Sequence, residues 1–335
     1  MVEFEGLSDY IIREIDREEW NTHWNLVHQS NLLQSWEYGD SKANAENWKP
    51  IRFLFESSEG RPIALAQVLT KTWGLLGGVA RLNRGPLFML DIEKNSKPHG
   101  ALSFILRSLN IEARRRRWWI LYFAPELPNK NAYFNRLRES GFVPRSDKSS
   151  WASARLDLSI TEDAIMGNFN GKWRNLLRKA QKSNLIIERI EGGGYALDEL
   201  LESYSIMQTK KNFSGLSNEL IRQLSSNKGP QWLFSLYKAN IVKGGSSYCT
   251  GMLVSVRSGD CVTYLIGYTD DDGRKFNSNY ILIWQALLDA KKQGCRWFDL
   301  GGINENTPKG IAHFKKGLNG QNYNLIGEFR LRYLM

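Results

Sequence analysis

The sequence predicts a mixed α/β protein of two tandem domains, each a mixed sheet flanked by helices. Three observations carry this reading. A hairpin, an amphipathic helix and an aromatic strand follow one another in each half of the chain. The interval from helix to strand is the same in both, from Ala101 to Trp118 and from Tyr280 to Trp297, as a duplicated unit requires. A basic amphipathic helix separates the two sets. The 335 residues, 42% hydrophobic and 24% charged, suffice for two ordinary cores.

Residues 50–56 and 62–69, joined by the polar turn Ser57-Ser58-Glu59-Gly60, read as the first hairpin. Residues 101–114 follow as a helix with Leu102, Ile105, Leu106 and Leu109 on one face, and residues 118–123 as an aromatic strand. In the second half, residues 231–237 and 251–256 make the corresponding hairpin. Residues 261–266 form a further strand. A helix over 280–292 presents Ile281, Trp284 and Leu288, and the strand 297–300 closes the set. Between the halves, Ser159-Ile160-Thr161-Glu162 has the form of a capping box. Ile165, Phe169, Trp173, Leu176, Leu177 and Ala180 then recur at helical steps, with Gly167 and Gly171 admitting a break. The domain boundary is expected near residue 155, giving domains 1–155 and 156–321. Gly192-Gly193-Gly194 reads as a turn after the strand 185–190, because no phosphate-cradling glycine motif surrounds it.

A formal charge of +10 points to anionic partners. It is concentrated in the run Arg114-Arg115-Arg116-Arg117 and in Lys172, Arg174, Arg178, Lys179 and Lys182. Each cluster reads as a solvated helix face or as a site for the RNA backbone. Three cysteines, Cys249, Cys261 and Cys295, are too few and scattered for a disulfide framework, and His23, His28, His99 and His313 lack metal-ligand spacing. No metal is expected. No apolar run reaches the roughly 18 residues of a membrane helix, and the first residues lack a secretory pattern. The expectation is a cytoplasmic protein without an integral membrane segment.

The chemistry is suggested near the end of the chain. Residues 295–303 read Cys-Arg-Trp-Phe-Asp-Leu-Gly-Gly-Ile, and residues 311–317 read Ile-Ala-His-Phe-Lys-Lys-Gly. Earlier come Leu-Leu-Gln-Ser-Trp-Glu-Tyr-Gly at 32–39 with Lys42 and Trp48-Lys49-Pro50, then Arg84-Gly85-Pro86. Leu-Arg-Glu-Ser-Gly-Phe at 137–142, Leu156-Asp157-Leu158 and Lys-Trp-Arg-Asn-Leu-Leu-Arg-Lys-Ala at 172–180 follow in order. This ordered set, spread over nearly the whole chain, resembles the FemABX family. The resemblance implies two GNAT-like domains, with residues 322–335 returning to the first. It implies transfer of an aminoacyl group from aminoacyl-tRNA, as co-substrate and without a cofactor, to an amine of a cell-wall precursor. The partners implied are tRNA and a UDP-sugar-peptide, a lipid-linked precursor or another amine acceptor. The acceptor is expected beside the first domain or between the two, and the tRNA end against the second.

Carried onto this sequence, Lys315 matches the family's Phe-Lys position and is the candidate cation for the tetrahedral oxyanion. Lys316 is its rival, since spacing does not rank neighbours. Lys42 matches a lysine that contacts the acceptor's phosphates. Trp36 and Tyr38 beside it read as sugar- or base-lining aromatics, or as core. Asp299 reads as a general base or as the cap of the glycine pair. Lys172, Arg174, Arg178, Lys179 and Lys182 are the candidate tRNA contacts. The chain also departs from the family. The segment after Met207 lacks an expected arginine, for which Lys210 or Lys211 stands in. A carboxylate near Ala124 is replaced, with Glu126 close by. The long helical arm of some members is absent. Two other readings compete. One is a GNAT-like N-acyltransferase using acyl-CoA or an acyl carrier protein on an amino sugar, although the usual pyrophosphate loop is missing. The other is a non-catalytic RNA-binding module.

Overall fold

The computed structural model describes residues 10–27, 29–89, 98–147, 150–211, 215–305 and 307–333. Along the chain come β1 (Tyr10–Glu14), α1 (Arg17–Trp24), α2 (Trp36–Glu46), β2 (Lys49–Ser57), β3 (Pro62–Thr72), β4 (Gly78–Asn83) and β5 (Leu87–Phe88). They are followed by α3 (Pro98–Arg115), β6 (Trp118–Ala124), α4 (Asn131–Glu139), β7 (Val143–Pro144) and β8 (Ala152–Asp157). Then come α5 (Glu162–Asn168), α6 (Gly171–Gln181), β9 (Leu185–Glu191), α7 (Gly194–Lys211) and α8 (Asn218–Ser226). The last set is β10 (Trp232–Lys243), β11 (Ser246–Ser258), β12 (Cys261–Thr269), α9 (Asp271–Phe276), α10 (Ser278–Lys292), β13 (Trp297–Asp299), α11 (Lys309–Lys316), β14 (Gln321–Asn324) and β15 (Phe329–Arg332).

The chain divides into two units, residues 1–151 with 324–335, and residues 152–323. The first sheet has the order β1-β2-β3-β4-β6-β15-β7 with β5 on β3, and the second the order β14-β8-β13-β12-β11-β10-β9. In each, a three-strand antiparallel meander leads through a helix to a parallel neighbour. β4 and β6 flank α3 in sequence, and β12 and β13 flank α10. An antiparallel strand from a distant part of the chain then lies beside that neighbour, β15 on β6 and β8 on β13. The structure thus assigns residues 152–155 to the second unit, because Arg155, Leu156 and Asp157 pair with β13.

Each unit has its own core. α3 buries Leu102, Ile105, Leu106 and Leu109 as its period requires, among Phe53, Phe55, Leu121 and Phe123. α10 departs from expectation. Its deepest face is Leu282, Ile283, Ala286, Leu287 and Ala290, while Ile281 and Leu288 are only partly buried. The helix packs on β11 on one side and α6 on another, so apolar residues are needed over a wide arc. The helix expected from residue 159 begins later and is broken. Ser159 donates its hydroxyl to Asp157 at 2.6 Å, and Thr161 caps α5 by accepting from the Ala164 amide at 3.2 Å. The Asp157 carboxylate competes successfully for the serine, and the cap passes to the next hydroxyl. The break falls at Phe169, which has an extended backbone and ends α5 before α6 starts.

Candidate functional site

The second unit gathers its buried charges at the end of β13. Asp299 is 1% exposed, and its carboxylate is ringed by donors. Oδ1 takes the Ser153 hydroxyl at 2.8 Å and the Gly301 amide at 2.8 Å; Oδ2 takes Tyr323 Oη at 2.6 Å and Arg155 Nε at 3.4 Å. Arg155 lies directly across the ladder from Asp299, which brings opposite charges together. The same Ser153 hydroxyl, with its single proton shared between the two, also lies 2.6 Å from the Gly301 carbonyl. The carboxylate therefore braces the loop that follows the strand, as the turn-capping reading of Asp299 anticipated.

That loop is bent at Gly301, whose φ of +68° suits glycine. A Cβ there would stand 2.8 Å from the Tyr264 carbonyl. β12 pairs with β13 only over Cys261–Thr263. Beyond that the chain follows β8, with Leu300 and Ile303 donating to Ala154 and Ala152, and the two parallel strands separate.

Lys315 fills the point of separation. Its ammonium donates to the Gly302 carbonyl at 3.2 Å and lies 4.9 Å from the centre of the Tyr264 ring. The residue is 6% exposed, and burial pulls its pKa down from the usual lysine value to about 8, with Asp299 opposing that shift. No carboxylate bonds it among the described residues. One of its three N–H groups is used in a hydrogen bond, so the cation keeps donors in a low-dielectric setting. Lys316, one helical step away, is exposed. Geometry thus separates two residues that spacing left equal.

The helix carrying Lys315 is held by the apolar face of α6. Trp173 donates its indole N–H to the Phe314 carbonyl at 3.2 Å and packs against Phe314 and Tyr280. A Cβ on Gly317 would meet Trp173 at 2.5 Å, so only glycine allows this approach. The Gly317 carbonyl accepts from the Asn170 amide at 2.9 Å. On the far side of α6, Lys172, Arg178, Lys179 and Lys182 are exposed. Arg174 is different, since its guanidinium bonds the Gly167 and Phe169 carbonyls at 2.6 and 2.9 Å and so caps α5.

The first-unit candidates are less available than the sequence suggested. Lys42 pairs with Glu46 one turn on. Trp36 lies under the Arg52 guanidinium, 3.4 Å from the ring centre, and edge-on to Trp20. Tyr38 is core, and burial raises its hydroxyl pKa. The alternative of core aromatics is the one the packing supports. Glu126 forms a bidentate pair with Arg84 at 2.7 Å on both arms. Lys211 ends α7, with its side chain outside the described residues, as are the whole of His28 and the side chain of His99. Reading the sequence missed Ser153, Arg155, Tyr264 and Tyr323. Ser153 and Arg155 carried a signal, being polar residues two apart in a strand otherwise buried, and so directed to one face.

Residues 235–333, which include Asp299, Gly301 and Lys315, match the model of the FemAB family. Among solved structures, the crystal structure of FemX aligns over 96% of this chain and 97% of its own, with a TM-score of 0.79 and 16% identity. A tandem GNAT protein from the clavulanic acid biosynthesis pathway aligns over 97% and 98%, with a TM-score of 0.55 and 11% identity. L-PGS from Bacillus licheniformis aligns over 95% and 92%, with a TM-score of 0.54 and 13% identity. No curated protein matches the sequence. The two mixed sheets flanked by helices are thus those of the tandem GNAT-like architecture. Among the described residues no helix is long and apolar enough to cross a membrane.

Proposed function

We propose, from the premise that this chain belongs to the FemABX family, that it is an aminoacyltransferase using aminoacyl-tRNA. The family and its GNAT-like neighbours support an acyltransferase of the peptidoglycan-bridge kind in general. The finer reading is amide formation between the aminoacyl group and an amine of a cell-wall precursor. The observation that carries it is Lys315, a buried ammonium with unused donors, lying within the family-matched segment.

The aminoacyl ester is already activated, so no protein nucleophile is needed. The acceptor amine attacks the ester carbonyl, a C–N bond forms, and the carbonyl oxygen takes up negative charge. The C–O bond to the ribose then breaks, and the proton lost by the amine ends on the ribose hydroxyl. Lys315 supplies the cation that faces the oxyanion, worth on the order of 3 kcal/mol for one well-placed donor. A pKa of about 8 leaves it largely protonated at neutral pH, the form this role requires. Asp299 acts as a positioning residue, because its oxygens are committed to Ser153, Gly301, Tyr323 and Arg155. Lys172, Arg178, Lys179 and Lys182 serve the tRNA backbone, and Lys42 the acceptor's phosphates once released from Glu46.

The test uses bulk tRNA charged with radiolabelled amino acids, the purified chain, and a pool of soluble and lipid-linked cell-wall precursors. RNase-sensitive movement of label into a base-stable product is the expected result. Transfer that survives RNase and follows acyl-CoA instead would replace the reading by the N-acyltransferase alternative.

A further inference from the structure

In the first unit, the connection between β3 and β4 presents an apolar tip to solvent. Trp73 is 53% exposed and Leu76 is 68% exposed. The tip is built rather than loose. The Trp73 amide donates to the Gly77 carbonyl at 2.8 Å, and the Trp119 indole donates to the Leu76 carbonyl at 2.7 Å. The rings of Trp73 and Trp119 stack at 5.5 Å with only 4° between their planes. Gly77, at φ +102°, lets the chain turn against β6, where a Cβ would stand 2.3 Å from the Arg117 carbonyl. The folded state thus uses two hydrogen bonds and a turn open only to glycine to hold a tryptophan and a leucine in water, which core packing does not require.

The surroundings are cationic. The Gly78 amide donates to the Arg117 carbonyl at 3.0 Å, so the run at 114–117 begins where the tip ends. Arg115 and Arg116 share Glu112 and Glu14, and Arg114 lies over the Tyr333 ring at 5.2 Å. Arg114, exposed over an aromatic ring rather than beside a carboxylate in that contact, leaves positive charge beside the tip. Lys71, at the end of β3, adds to it from above the Trp48 ring at 4.8 Å.

We propose that this tip is a membrane-docking surface, in which Trp73 and Leu76 enter the interface of an anionic lipid bilayer while the arginine run meets the headgroups. Tryptophan favours the headgroup level, aliphatic side chains favour the acyl boundary, and each basic residue near an anionic surface adds attraction. RNA would use the outer face of Trp73 and the arginines but has no use for the exposed aliphatic side chain of Leu76. A second copy of this chain would oppose one arginine run to another. The surface would bring the protein to a lipid-linked acceptor, a consequence that rests on the aminoacyltransferase reading. The docking itself does not depend on that reading, and its test needs no turnover.

The full chain is sedimented with vesicles of phosphatidylcholine alone and with vesicles containing phosphatidylglycerol, while tryptophan emission is recorded. The expected result is binding to the anionic vesicles, weakened by salt, with a blue shift. Trp73→Ser with Leu76→Ser should lower partitioning by about tenfold or more. Leu76→Asp, at an exposed position, should do likewise with unchanged circular dichroism. Equal partitioning of variants and parent, or no binding to anionic vesicles, would overturn the proposal. So would a double variant that loses tRNA binding while vesicle binding stays the same, since the surface would then belong to RNA. Loss of vesicle binding with RNase-sensitive transfer retained on a soluble acceptor would support docking as a separate function of the first unit.

Discussion

Replacing Lys315 by methionine should stop transfer and, at neutral pH, make the folded protein more stable. The side chain is nearly isosteric up to its charged end, and the site is 6% exposed, so the main change is removal of a buried cation. Burial lowers the lysine pKa to about 8 in the folded chain, against about 10.4 when unfolded. At pH 7 both states hold the proton, and the folded state carries the whole desolvation cost, about 3 kcal/mol by proton linkage. Methionine removes this cost but leaves the Gly302 carbonyl without its donor and the Tyr264 ring without its cation, which takes back roughly 1 to 2 kcal/mol. The net gain at pH 7 should be about 1 to 2 kcal/mol.

The sharper readout is the dependence on pH. As pH rises from 7 toward 10, the folded lysine loses its proton while the unfolded one keeps it. The parent therefore gains stability relative to the variant, by about 1.4 kcal/mol at pH 9 and about 2.5 kcal/mol at pH 10. Packing terms that do not titrate cancel in this comparison. Urea unfolding of both proteins at pH 7, 9 and 10 measures it, with m-values checking that both unfold to the same extent. A stability gap that stays constant with pH would mean that Lys315 is solvated in solution and is not a preorganised cation.

Asp299→Asn should cost about 3 to 5 kcal/mol, because it breaks the buried Arg155–Asp299 ion pair. It should also move the alkaline limb of the transfer profile below pH 8, since the Asp299 charge now raises the Lys315 pKa. Gly301→Ala should lower kcat and cost roughly 1 to 3 kcal/mol of stability in backbone strain, read as a lower melting temperature, as φ is +68° and the Tyr264 carbonyl blocks the Cβ. Replacing Lys172, Arg178, Lys179 and Lys182 by alanine should flatten the salt dependence of tRNA binding by about 3 in the log–log slope without altering stability. Arg174→Ala should instead destabilise by about 1 to 2 kcal/mol, because Arg174 bonds two carbonyls at the end of α5.

What the sequence made legible was whatever depends on neighbours along the chain. Period and turn chemistry located the two hairpins, α3, α10 and the strand carrying Asp299, because these are local properties. The capping of α5 was misassigned because a preceding carboxylate, Asp157, was free to take the serine. The site was half legible. Lys315 and Asp299 stood in one segment, but their partners Ser153 and Arg155 lie far earlier in the sequence, and Tyr264 belongs to another strand. Only the sheet order brings those strands together. Likewise nothing local distinguishes Lys315 from Lys316, or the free Arg178 from the occupied Arg174. Each difference follows from which face of a helix meets a neighbour.

The two repeats also differ in how each disposes of a buried charge. In each unit a parallel strand pair ends beside a charged cluster. In the first, Arg84 lies at the end of β4 and is clamped by both oxygens of Glu126, so its charge is spent internally. In the second, the carboxylate at the strand end is satisfied by Arg155, Ser153, Tyr323 and the Gly301 amide, and among the described residues the nearby lysine receives no carboxylate. The difference is one of distribution rather than of residue count. Asp299 is close enough to hold up the Lys315 pKa but is turned toward other donors. A carboxylate placed as Glu126 is would quench the ammonium, and no carboxylate at all would lower its pKa further and strip its proton near neutrality. The second unit thus keeps a cation that is charged and still has donors to spare, at a cost in stability that the methionine variant is designed to measure.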